Sequence, residues 1–117
     1  MPGKRTDRLN SLLREVISEV IRRDVKNPHV SPLTSITRVE ITKDLHYAKV
    51  MVSVIGDEKV RNETVKALNS ASGFIGSTAS KKVVLRFFPK LSFHLDDSID
   101  KHMRIEELLK EIHKKND

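Results

Sequence analysis

Leu9, Leu12, Leu13, Val16, Ile17, Val20 and Ile21 recur at the i, i+3, i+4, i+7 spacing that lays apolar side chains along one stripe of an α-helix. This predicts a helix from about residue 5 to residue 26. Asn27-Pro28 stops it, because proline lacks an N–H and its ring clashes with the preceding turn. Lys4, Arg8, Arg22 and Lys26 fall opposite the stripe, interleaved with Glu15 and Glu19, so that face is solvated.

The period then shortens to two. Leu33, Thr37, Val39 and Ile41 share one face of a predicted strand, and Ile36, Arg38 and Glu40 the other. In a second strand Ala48, Val50, Val52 and Val54 form the buried set, while Tyr47, Lys49, Met51 and Ser53 point away. Alternation with β-branched enrichment is the mark of a half-buried strand. The short connection Lys43-Asp44-Leu45-His46 makes the pair an antiparallel hairpin.

Helical spacing returns after Gly56-Asp57. Val60, Thr64, Ala67, Leu68, Ala71, Ile75, Thr78 and Ala79 lie on one face, and the register carries across Gly73, so two half-helices run collinear or only kinked there. Pro89 ends the next stretch, and Leu91, Phe93 and Leu95 alternate as a third strand. Asp97 then caps a terminal segment with Asp100 at the capping-box position. Ile105, Leu108, Leu109 and Ile112 form its stripe, whereas Ile99 and Met103 lie off it, which predicts a turn of helix, a break near Met103 and a final helix.

The predicted architecture is therefore α+β: a three-stranded sheet with helices on one face, in two layers, plus an additional C-terminal helix. The order α-β-β-α-kink-α-β is that of the type II KH fold, an RNA-binding architecture. Fold order alone does not establish function. At 117 residues the chain is expected to be one domain, 1–117, with residues 1–4 and 113–117 as candidates for disorder.

Charge narrows the function. The net charge is +6, and the segment from Lys59 to Lys90 holds seven basic residues (Lys59, Arg61, Lys66, Lys81, Lys82, Arg86, Lys90) against the single acid Glu63. The remainder is balanced, so the whole excess sits in one segment. That points to a polyanionic partner met there, nucleic acid before anionic membrane. There is no cysteine, which excludes disulfides and thiolate metal sites. No run approaches the roughly 20 apolar residues of a membrane span, and the N-terminus has no apolar leader, so the cytoplasm is the expected location.

At about 100° per residue, Lys59, Lys66, Ser70, Gly73, Ser77 and Lys81 fall in one band opposite the apolar face of the second helical region. Its middle is bare and its ends are cationic. Close approach of a sugar-phosphate backbone requires this combination: little steric bulk, hydroxyls and amides for phosphate oxygens, and ammonium groups to neutralise charge. A kink that frees the first amides of the second half-helix also makes an anion site. The alternative is that Gly73 and Gly76 serve packing or kinking and the lysines only solvate a face. Gly73-Phe74-Ile75-Gly76 matches the KH-domain GxxG pattern literally, but large apolar central residues suit core or kink packing better than a phosphate clamp.

The chain resembles the bacterial ribosome-binding factor A family. The resemblance rests on Thr37 to Val50 (TRVEITKDLHYAKV), on Ala67 to Ile75 (ALNSASGFI), and on Leu85-Arg86, Pro89-Lys90-Leu91, Phe93, Asp96-Asp97-Ser98-Ile99, Met103-Arg104-Ile105 and Leu108-Leu109, in the family's order over nearly the whole chain. It implies a KH-like domain in which an Ala-x-Gly kink, matched by Ala71-Ser72-Gly73, replaces the GxxG loop. It further implies binding to the immature small (30S) ribosomal subunit and its 16S RNA during late maturation, near the 5′ end and the decoding region, with a role in growth at low temperature. One departure is Gly76, where the family often has arginine; Lys81, Lys82 and Arg86 are the candidates to compensate. The expected RNA-contacting set is Lys59, Lys66, Ser70, Ala71, Ser72, Gly73, Ser77, Lys81, Lys82 and Arg86, in a monomer with no cofactor, metal or small-molecule substrate.

Three rivals stand beside this. An enzyme is disfavoured: His29, His46, His94, His102 and His113 lack ligand spacing, no nucleotide-binding fingerprint appears, and helix capping explains Asp96-Asp97 more simply than paired catalytic carboxylates. A generic single-stranded RNA reader, or a generic KH-type protein acting on another RNA, is closer, but base stacking needs exposed aromatics, and Phe87, Phe88 and Phe93 stand in apolar contexts, which leaves Tyr47 as the lone amphipathic ring and no tryptophan. A purely protein-binding module makes the localised charge incidental; its binding is insensitive to salt, whereas phosphate binding falls steeply.

Overall fold

The computed structural model describes residues 4–96. Over them run helix α1 (Lys4–Asp24), strands β1 (Thr34–Ile41) and β2 (Tyr47–Val54), helices α2 (Glu58–Ser70) and α3 (Ser72–Ser80), and strand β3 (Lys90–Leu95). This is the expected α-β-β-α-α-β order. The terminal helix from Asp97 onward and the ends proposed for disorder lie outside the described residues, apart from Lys4, which opens α1.

The apolar stripe of α1 is buried as its period requires: Leu13, Ile17 and Val20 lose all exposure, though Leu12 at the stripe's margin stays 41% exposed. The helix ends at Asp24, short of the expected boundary. Pro28 drives Asn27 out of the helical region, and Asn27 forms a local turn in which its Oδ1 accepts from the His29 N–H at 2.9 Å. Upstream, the Val25 N–H reaches back to the Val20 carbonyl at 3.2 Å in a widened last turn.

β1 and β2 form the predicted antiparallel hairpin, with one correction. The register slips between Ile36 and Arg38, so Thr37 is an extra residue in a bulge. Alternation restarts there. Ile36 and Val39, three apart, both enter the core, whereas Leu33, assigned to Val39's face by strict alternation, is 57% exposed. The Thr37 hydroxyl donates to Asp96 Oδ2 at 2.6 Å, and Asp96 is buried. Its carboxylate thus fastens the bulge, a role the capping reading of Asp96 did not include. On the reverse face of β2, Met51 is buried as well, contrary to its outward assignment.

The hairpin turn is held by Asp44. Its Oδ1 accepts from the Thr42 hydroxyl at 2.6 Å and from the His46 N–H at 3.0 Å. The Thr42 hydroxyl and then the His46 amide hold the carboxyl below the ordinary aspartate range. A depressed folded-state value means the contribution is present above the ordinary value and is lost as pH falls through the lowered one.

β3 lies beside β2 and runs parallel to it, giving the sheet order β1-β2-β3. A parallel neighbour requires a crossover, and α2 and α3 supply it. Of their buried residues Thr64, Ala67, Leu68, Ile75 and Ala79, the last three join Val50, Val52, Leu91 and Phe93 of the sheet in the core. Both sheet edges carry an asparagine from a helix. Asn69 accepts from the Phe93 N–H at 2.8 Å and donates to its carbonyl at 2.9 Å, while Asn10 Oδ1 accepts from the Ile41 N–H at 3.0 Å. These bonds satisfy edge groups that otherwise invite strand pairing.

Candidate nucleic-acid interface

Ala71 separates α2 from α3 with φ −93° and ψ 5°. Its N–H still donates to Ala67 O at 3.0 Å, and the next rung is Ile75 N–H to Ala71 O at 2.9 Å. The two helices thus meet at a single non-helical residue that serves as the C-cap of α2 and the N-cap of α3. The break falls at Ala71, the first residue of the Ala71-Ser72-Gly73 kink that the resemblance implies and two positions before the glycine at which the helical register placed it, and Gly73 sits in the first turn of α3. Alanine has no side-chain acceptor, so no cap covers the α3 terminus. Its partial positive charge faces outward.

Packing does not require Gly73. A Cβ built there meets nothing within 4 Å, and one at Gly76 makes only ordinary contact with the Phe88 ring at 3.8 Å. What the two glycines do is leave the helix surface bare. With Ser72, Ser77 and Ser80 they face Phe88, Pro89 and Lys90 across a recess of about 270 Å³.

The predicted stripe does not stay in one piece. Ser72, Gly73 and Ser77 line that recess, but Lys66 and Ser70 line another, of about 350 Å³, with Asn27, His29, Glu63 and Ala67. Lys59 projects from the first turn of α2, and Lys81 caps the far end of α3. Ala71 and Ser72 are half-buried at the break. Sequence reading missed Ser80, Phe88 and Lys90 as recess-lining residues. Lys90 was legible in the charge excess, but its place opposite α3 depends on β3 returning there.

The cations divide into two groups. Lys82 Nζ lies 3.9 Å from Glu19 and 3.9 Å from Asp24, and Arg23 pairs with Glu19 at 3.1 Å. Lys82 thus ties the end of α3 to α1, with its charge already compensated. Lys59, Lys66, Lys81, Arg86 and Lys90 are all exposed and make no ion pair among the described residues. The GxxG-like segment also departs from expectation, since Ile75 is buried but Phe74 is 53% exposed. Among the described residues no group of three His, Asp or Glu side chains could hold a metal ion, and no helix is long and apolar enough to cross a membrane.

A family model described as ribosome-binding factor A matches residues 5–109. The chain is 65% identical to the ribosome-binding factor A of Protochlamydia amoebophila (strain UWE25) over 117 residues, which is 100% of this chain and 89% of that one. It is similar to the crystal structure of ribosome-binding factor A from Thermus thermophilus, with a TM-score of 0.68 and 22% identity over 77% of this chain and 94% of that one. It also matches a homology model of the Thermus thermophilus factor fitted into the cryo-EM map of a 30S complex of that factor, with a TM-score of 0.62 and 20% identity over 75% of this chain and 91% of that one. At these identities the two structural likenesses concern the fold.

Proposed function

The chain belongs to the ribosome-binding factor A family, and from that premise we propose that it is an assembly factor that binds the immature small ribosomal subunit through the exposed face of α2 and α3. The observation that carries this reading is electrostatic. Five exposed cations without ion-pair partners among the described residues are spread along α2, at the far end of α3 and on the connection to β3, with the bare, uncapped start of α3 between them in the chain. Phosphates are the ligands that such an arrangement neutralises, and backbone contacts of this kind position a protein on folded RNA without reading its sequence. A ribosomal partner is further supported by the Thermus thermophilus factor placed in the map of a 30S complex.

In this reading the target is 16S RNA near its 5′ end and decoding region, met in the cytoplasm during late processing, with greatest consequence for growth in the cold. The 117 residues act as one monomeric KH-like unit that works by binding and needs no catalytic step. The test is co-sedimentation with immature and mature small subunits across a salt series. Preferential binding to immature particles is expected, with log affinity falling against log salt at a slope of about −3 to −5 if the five cations meet phosphates. Binding that is indifferent to salt, or equal for both particles, defeats the reading.

Gly73→Val separates the interface from the fold. Because a Cβ added at this exposed position meets nothing within 4 Å, the melting temperature should stay within a few degrees of wild type. The same side chain stands in the first turn of α3, at its uncapped start, so subunit affinity should fall by about tenfold, the loss of one charge-assisted hydrogen bond. Unchanged affinity in the folded variant places the contact elsewhere.

A further inference from the structure

Phe87 is a ring that the core leaves out. Phe93 is 1% exposed and Phe88 is half-buried against the recess, yet Phe87 is 76% exposed and Val84 stands fully in solvent. Both belong to the connection between α3 and β3. The sequence context is apolar, but β3 takes Leu91 and Phe93 into the core and the recess takes Phe88, which leaves Phe87 outside. An uncovered phenylalanine ring forgoes the free energy of burial, a loss that a bound partner recovers.

The chemistry around the ring identifies that partner. The Arg86 guanidinium carbon lies 5.6 Å from the Phe87 centroid, within cation–π range. Exposed Lys81, Arg86 and Lys90 are on the same connection or at its ends. Protein interfaces are depleted of lysine, so a ring whose connection carries exposed Lys81 and Lys90 at its ends fits them poorly. A nucleobase suits it: the base stacks on the open ring, and the cations meet the phosphates on either side of it.

We propose that Phe87 is a stacking platform for an unpaired base of small-subunit RNA, reinforced by Arg86. The inference rests on the ribosomal reading above and adds a base contact to its backbone contacts. The chain has no tryptophan, so Phe87→Trp supplies a sole indole reporter. That variant should bind small subunits as tightly as wild type, with its emission quenched on binding. Phe87→Ala and Phe87→Leu should melt like wild type yet bind about tenfold more weakly. Wild-type affinity in Phe87→Ala, or in Phe87→Leu (the sign of an apolar protein contact), overturns the stacking role, as does an unquenched indole in the bound complex. If the unmodified protein fails to bind small subunits, the ribosomal reading falls and takes this inference with it; if it binds and Phe87→Ala binds equally, only the stacking falls.

Discussion

Reversing two charges at once, Lys66→Glu with Lys81→Glu, is expected to weaken small-subunit binding by roughly 100-fold at physiological salt. Each lysine lost from a phosphate contact costs about 1–1.5 kcal/mol, and two well-separated losses add. The slope of log affinity against log salt should become shallower by about two, one for each contact removed. Both lysines are exposed and without ion-pair partners among the described residues, so the melting temperature should hardly move. Lys82→Glu is the contrasting control. It sets a carboxylate beside Glu19 and Asp24, so its effect should appear as lost stability between α1 and α3. If the double variant keeps native affinity and slope, the α2–α3 face is not the RNA contact.

Phe93→Ala is expected to be the most destabilising single substitution in the sheet, at about 3–5 kcal/mol, the usual range for a buried phenylalanine. Set against the roughly 5–15 kcal/mol of a typical domain, that loss leaves the fold marginal. The ring is 1% exposed, and its own main chain is held at both polar atoms by Asn69. Emptying the site therefore loosens α2 and β3 together. Urea unfolding monitored by far-UV circular dichroism measures the change in midpoint. A loss under about 1 kcal/mol would mean that the core closes over the gap and that the α2–β3 junction does not depend on this ring.

The elements themselves were legible because their signals are local. A 3.6-residue apolar repeat and a 2-residue alternation specify helix and strand regardless of what packs against them. The start of α2 after Gly56-Asp57 follows from backbone chemistry, whereas α1 ends at Asp24, two residues before the end expected from Asn27-Pro28. The bulge at Thr37 was not legible, because alternation counts residues and cannot register one that drops out of the ladder. The carboxylate that holds the Thr37 hydroxyl, that of Asp96, lies 59 residues away in the chain. The break between α2 and α3 was foreseen: the helical register placed it at Gly73, two positions late, whereas the Ala71-Ser72-Gly73 motif of the resemblance begins at Ala71, where the two helices meet.

The candidate site divides in the same way. Its charge and its bareness are properties of composition at a fixed helical spacing, so Lys59, Lys66, Gly73, Ser77 and Lys81 could be named from the chain alone. Whether a given cation is available depends on what comes near it. Lys82 looks no different from Lys81 in sequence, yet α1 brings Glu19 and Asp24 to it and leaves Lys81 without an acidic partner among the described residues. Phe87 and Phe88 are adjacent and chemically identical, and only the return of β3 parallel to β2 turns one toward the recess and the other toward solvent.

By itself, then, the sequence determined the element types, the helix-on-sheet class and the segment that carries the excess charge, since each depends on side-chain chemistry at short, regular separations. The parallel placement of β3, the pairing of Lys82 and the exposure of Phe87 were decided only by the tertiary structure. They depend on which distant groups arrive at a point in space, and local periodicity carries no record of that.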